Sequence, residues 1–211
     1  MRDLTTASAS PVLDTPFDPG RPLRFTVFCE SATGRHPAYE HAARTMGGLL
    51  AAAGVEIVYG RARIGLMGAL AETALASGGR VTGVLPQVLN RADIVHPGLT
   101  HLEIVADMPD RKARLCQLAD AFLVLPGGLG TLEELAEMWS WAQLGLHTKP
   151  IALLNTANFF SPLLTFLTSA QQAGFLAARD RDRDLVVVDA EPARLTTEVL
   201  AHLTPAEVKP C

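Results

Sequence analysis

The 211-residue chain has no apolar run near the roughly 20 residues that a membrane span requires, and Met1 to Gly20 lacks the apolar core of a secretion signal. It has only three cysteines, Cys29, Cys116 and Cys211, an odd and widely spaced set that builds neither a disulfide framework nor a zinc site. Its six histidines show no ligand spacing. Charge of one sign is missing too. With 18 Lys and Arg against 22 Asp and Glu the formal charge is −4, so no global field draws nucleic acid or an anionic membrane, and any anion site has to be local. Two phosphate-binding signatures are absent. No G-x-x-x-x-G-K-[ST] occurs, and the first predicted strand runs into Glu30-Ser31-Ala32-Thr33-Gly34 rather than G-x-G-x-x-G, which argues against an ATPase and an ordinary dinucleotide enzyme. The expectation is a cytoplasmic protein with reduced, structural cysteines, no metal or cofactor, and neither nucleic acid nor membrane among its partners.

What is present is a globular pattern, with 48% apolar residues. Residues 1–22, rich in Ser, Thr, Ala and Pro, read as a flexible leader, 23–204 as one domain and 205–211 as a tail. Within the domain short β-branched runs alternate with helix-length amphipathic stretches. Strands are predicted at Arg24–Cys29, Val55–Tyr59, Val81–Leu85, His101–Ala106, Ala121–Leu125, Pro150–Leu154 and Leu185–Val188, with helices between them. This alternation predicts a single-domain α/β fold, a Rossmann-like parallel sheet with helices on both faces, whose ligand crevice lies beyond the carboxyl ends of the strands.

The segment Pro126-Gly127-Gly128-Leu129-Gly130-Thr131-Leu132-Glu133-Glu134 lies between a predicted strand and a helix. Its glycines allow a sharp turn, and the helix end behind them leaves N–H groups free for a phosphate. The same residues also read as a plain turn closed by a T-x-x-E capping box from Thr131 to Glu134. Along this helix Leu132, Leu135, Ala136, Trp139 and Ala142 form one apolar stripe expected to pack on the sheet. Glu134 shares a second face with Met138, Trp141 and Gly145, which a partner subunit or a ligand pocket should cover, whereas Glu133 reads as a solvated charge. Upstream, Met108-Pro109-Asp110-Arg111-Lys112-Ala113-Arg114 sets basic residues beside a helix amino terminus, against the macrodipole preference, so a nearby anion explains Arg111 better than helix stability does. A third turn, Tyr59-Gly60-Arg61-Ala62-Arg63-Ile64-Gly65-Leu66-Met67-Gly68, permits close backbone approach to a ligand.

In this order the segments VFCESATG, YGRARIGLMG, MPDRKARL, LPGGLGTLEEL and WAQLGLHTKPIALLN resemble the Lonely Guy family of cytokinin riboside 5′-monophosphate phosphoribohydrolases over about residues 24–176. The resemblance implies hydrolysis of the N-glycosidic bond of an N6-substituted adenosine 5′-monophosphate, releasing the free base and ribose 5-phosphate, by a homodimer. It assigns Arg111 and Glu134 as catalytic residues. Ser31, Asp93, Met108, Lys112, Gly127, Gly128, Gly130, Thr131 and Ser140 become substrate-binding residues. Three positions depart from the family pattern: Glu30 and Arg61 stand where it has glycine, and Asp93 where it has glutamate. Glu30 adds a negative charge near the expected phosphate, and a Glu30–Arg61 pair would neutralise it. The alternative is therefore a nucleotide-binding protein of the same fold with lost or altered activity. An oxidoreductase that uses Gly128-Leu129-Gly130 as a cofactor turn is disfavoured, because that turn comes late in the fold.

Overall fold

In the computed structural model, which describes residues 20–60, 62–89, 96–176 and 185–203, the predicted β-branched runs pair into one parallel sheet. Its strands are β1 (Arg24–Phe28), β2 (Glu56–Tyr59), β3 (Val81–Pro86), β4 (His101–Val105), β5 (Ala121–Val124), β6 (Ile151–Leu154) and β7 (Val186–Asp189), in the order β4-β3-β2-β1-β5-β6-β7. The helices are α1 (Pro37–Ala52), α2 (Gly65–Ala76), α3 (Met108–Leu118), α4 (Leu129–Gln143), α5 (Ser161–Gln172) and α6 (Pro192–Leu203). Most of the expected boundaries agree to within a residue or two, and the Rossmann-like α/β architecture is the one expected. Of the expected leader only residues 20–22 are described, and the tail lies outside the described residues.

Alternation along each strand divides the core in two. Phe25 and Val27 of β1 and Leu123 of β5 join Met46 and Leu50 of α1, Leu70 of α2 and Leu195 of α6 on one face. Phe28, Phe122 and Val124 join Leu115 of α3, Leu135 and Met138 of α4 and Phe160 on the other. Phe28 and Phe122 stack across neighbouring strands with ring centroids 5.8 Å apart. Truncating either ring to Ala would cost about 3–5 kcal/mol, the usual range for a buried phenylalanine. Cys29 and Cys116 are buried. Among the described residues no helix is long and apolar enough to cross a membrane.

Topology fixes where a ligand can sit. The chain winds outward from β1 through β2 and β3 to β4, and α3 then carries it back across the sheet to β5 on the other side of β1. At this reversal Phe28 pairs with Val124, and the Leu125 N–H donates to the Phe28 carbonyl at 3.0 Å. The connections leaving β1 and β5 diverge to opposite faces and leave a crevice between Glu30 on one side and Pro126–Gly128 on the other.

The helix after β5 corrects two expectations. The N-cap of α4 is Gly128, which has no side chain of its own to cap the helix; Thr131 lies inside the first turn, and the capping box from Thr131 to Glu134 does not form. The buried face of α4 is also not the expected stripe: Thr131, Glu134, Leu135 and Met138 face inward, whereas Leu132 and Ala136 are exposed. Of the expected stripe Leu135 and Trp139 do pack on the core, as does Trp141 of the second face. The face carrying Glu134 and Met138 is thus covered by the protein's own sheet, which becomes tolerable once the Glu134 carboxylate has a partner.

Candidate active site

The site begins with the glycines of the turn after β5. A Cβ on Gly127 would collide with the Thr131 side chain, so glycine here lets Thr131 fold back over the turn. Gly130 has no heavy atom near a hypothetical Cβ, so protein packing does not require glycine there. At the start of α4 the Gly128 N–H donates to Oε2 of Glu30 at 3.0 Å. The other carboxylate oxygen of Glu30 accepts from the Ser31 N–H at 2.9 Å and the Ser31 hydroxyl at 3.1 Å. The Ser31 N–H bond, joined by those from Gly128 and the Ser31 hydroxyl, holds this carboxyl below the usual carboxylate range against the opposing effect of partial burial. Gly65, at φ +63, lies against the Ser31 backbone so closely that any side chain there would collide with it. The loop after β1 is therefore pinned by the turn that opens α2.

The second half of the site comes from α3. Asp107 caps this helix by accepting the Asp110 N–H at 2.9 Å, which sets Arg111 in the first turn. Arg111 Nη1 reaches Oε1 of Glu134 at 3.0 Å, and both side chains are about nine-tenths buried (11% and 9% exposed). The Arg111 Nε–H donates to the Val84 carbonyl at 3.4 Å, and a Cβ on Gly60 would occupy the place of its Nη2. Residues following β2, β4 and β5, with the backbone of β3, thus meet in one ion pair. Burial pushes the Glu134 carboxyl above its ordinary value, and Arg111 opposes that shift without cancelling it. Cys29 is no rival reactive group. Burial, reinforced by Glu134 and Glu30, drives its thiol pKa far up, so the sulfur stays protonated.

The remaining expected residues divide. Lys112 is ion-paired with Glu133 and with Glu137 at 3.0 Å, and so ties α3 to α4; Glu133 is correspondingly a paired surface charge. Met108, the first residue of α3, is 39% exposed. Ser140 is exposed and lies ten residues along α4 from Gly130, roughly 15 Å at helical rise. Asp93 and Arg61 lie outside the described residues, and the expected Glu30–Arg61 pair with them. Sequence reasoning missed the Val84 carbonyl and the packing of Gly60 on Arg111. It also missed a small hollow of about 80 Å³ lined by Glu30, Thr33, Tyr39, Leu66, Gly127 and Phe159. Tyr39 and Phe159 meet there edge to face, with centroids 5.7 Å apart. Among the described residues no His, Cys, Asp and Glu side chains cluster in threes suited to a metal ion.

Over 173 residues the chain is 45% identical to a cytokinin riboside 5′-monophosphate phosphoribohydrolase of Rhodococcoides fascians, covering 82% of this chain and 87% of that protein. The chain belongs to the cytokinin riboside 5′-monophosphate phosphoribohydrolase, or Lonely Guy, family. A member of this family from Arabidopsis thaliana is 40% identical over 182 residues, 86% of this chain and 82% of its own length. The family model that matches residues 67–199 carries the description "possible lysine decarboxylase". Among solved structures, a molybdenum cofactor binding protein of Rippkaea orientalis superposes with a TM-score of 0.66 at 21% identity, covering 88% of this chain and 99% of that one. At that identity the likeness concerns the fold alone, which Lonely Guy members share with proteins of other function.

Proposed function

We propose that the chain hydrolyses the N-glycosidic bond of an N6-substituted adenosine 5′-monophosphate and releases the free base and ribose 5-phosphate. The observation that carries this reading is the buried Arg111–Glu134 pair, 3.0 Å apart, with Glu134 on the helix whose amino end lies at the switch point of the sheet. Breaking the C1′–N9 bond sends its electron pair to the base and leaves positive charge on the ribose ring. A largely buried carboxylate such as that of Glu134 is suited to stabilise that charge. Glu134, whose proton affinity burial raises, accepts a proton from the attacking water as its oxygen bonds to C1′. The base takes up a proton from solvent as it leaves and Glu134 returns its own to solvent, so the reaction consumes one water with no net change in charge. Arg111 fixes the carboxylate's direction and favours its charged form against the effect of burial.

In this reading the 5′-phosphate rests on the amino end of α4, among Ser31, Gly127, Gly128, Gly130 and Thr131, with Met108 along one side. Lys112 acts through its two glutamates, holding α3 against α4 so that Arg111 meets Glu134. Ser140 reaches a substrate only across a subunit boundary. The homodimer that this requires is supported by an exposed α4 face on which Leu129, Leu132, Ala136 and Ser140 recur at helical spacing, with Leu129 87% and Leu144 at the C-cap 72% exposed. Release of free base from N6-isopentenyl-AMP, by the wild type and by Glu134→Gln, tests the assignment.

A further inference from the structure

The loop after β1 ends on a negative charge where the proposed function calls for a negatively charged ligand. Glu30 lies against Gly128, the N-cap of α4, and takes that residue's N–H. Both donors of Ser31 are also turned onto it. Ser31 and Gly128 are residues that the family resemblance assigns to the substrate. Their three hydrogen bonds converge instead on one carboxylate of the chain itself, whose geometry of two oxygens taking N–H and O–H donors is that of a phosphate edge. The approach is close: a Cβ on Gly128 would stand 2.9 Å from Glu30 Oε2.

We propose that Glu30 is a specificity-determining residue that occupies the phosphate position of the crevice as an internal anion, so that a nucleotide binds only by turning the Glu30 carboxylate out. This inference rests on the reading that the amino end of α4 receives the 5′-phosphate. Two anions cannot share the same three donors, and a phosphate dianion beside an unmoved carboxylate is strongly repelled. Glu30 is only partly buried and borders an open hollow, so it can leave the donors without carrying its charge into the core. The displacement penalises every ligand that carries the phosphate and leaves a ligand ending in a 5′-hydroxyl untouched. Glu30 thus sets nucleotide affinity through Ser31 and Gly128, separately from the Arg111–Glu134 pair.

The test compares wild type with Glu30→Gln, which keeps the shape and removes the charge, and Glu30→Gly, which clears the position. The readouts are KM for AMP, inhibition by ribose 5-phosphate and by adenosine, and ribose 5-phosphate binding by calorimetry. Expected is about tenfold tighter KM for AMP and about tenfold tighter ribose 5-phosphate in both variants, the change that 1.4 kcal/mol produces, with adenosine inhibition unmoved and the effect falling on KM rather than on kcat. Unchanged or weaker phosphate-ligand binding in both variants overturns the proposal, as does an equal shift for adenosine, which would mark a general change of the loop. Calorimetry keeps the two readings apart. A wild type that releases no base contradicts the proposed reaction, while tighter ribose 5-phosphate in the variants still upholds the role of Glu30.

Discussion

The guanidinium of Arg111 lies where a side chain on Gly60 would have to be. Glycine in the turn after β2 is thereby what allows Arg111 to reach Glu134, 3.0 Å away. A methyl group there meets only the end of a flexible side chain, and Gly60 is not at positive φ, so Gly60→Ala can fold by moving Arg111 aside. The expected result is a melting temperature within a few degrees of wild type, with kcat/KM lowered about 10- to 100-fold because the carboxylate loses its orientation. Thermal unfolding measured alongside base release checks both halves.

The charge on Glu134 predicts opposite pH trends for stability and turnover. Burial raises this carboxyl above the ordinary glutamate value of 4.5, so the folded state holds the proton more tightly than the unfolded chain does. Between 4.5 and the folded pKa the native state carries the extra proton, and the contribution of Glu134 to stability falls as pH rises through that window. Turnover needs the carboxylate and rises over the same window. At saturating substrate the acidic limb of the kcat profile should have its midpoint above 4.5, and Arg111→Met, which removes the opposing charge, should shift the residual limb to higher pH. A limb that Arg111→Met leaves in place would disconnect it from Glu134.

Two glycines of the turn after β5 should behave differently when changed to alanine. Gly127→Ala drives a methyl group into Thr131 and should cost about 1–3 kcal/mol of stability, as overpacking does. Gly130→Ala meets no atom of the protein, lies in the first turn of α4, and should stabilise the fold by up to about 1 kcal/mol through helix propensity. If glycine at this position serves ligand approach, Gly130→Ala nevertheless raises KM for AMP. Denaturant unfolding and kinetics on the same two variants separate these effects.

The α4 face bearing Leu129, Leu132 and Ala136 should be buried by a second copy of the chain. Light scattering on wild type should then give twice the 22.5 kDa chain mass, and Leu132→Glu should return the protein to monomers at micromolar concentration. A monomeric wild type would remove the partner contribution assigned to Ser140.

The order of strands and helices was legible because each strand is a short β-branched run and each helix an amphipathic one, and both signals are local. The inward face of α4 was not. Hydropathy favours Leu132 and Ala136 over Glu134 and Thr131, but an ion pair with Arg111, from a helix on the far side of β5, makes Glu134 the buried residue. The same contact explains why Arg111 precedes a strand yet serves the helix beyond it. That Glu30 adds charge near the crevice could be read from its place after the first strand. That it also takes the N–H of Gly128 depends on backbone geometry 98 residues away in sequence, which no spacing rule encodes. Gly60 was read as room for a ligand, and the structure fills that room with Arg111.

In the proposed reaction Glu134, held by Arg111, breaks the glycosidic bond of a cytokinin nucleotide. Release of free base and ribose 5-phosphate from N6-isopentenyl-AMP, followed by chromatography for wild type, Glu134→Gln and Arg111→Ala, tests it most directly. Expected are turnover by wild type and a loss of about 10³-fold or more in Glu134→Gln, with the fold intact by circular dichroism. Undiminished release by folded Glu134→Gln, or no release by folded wild type, would contradict it.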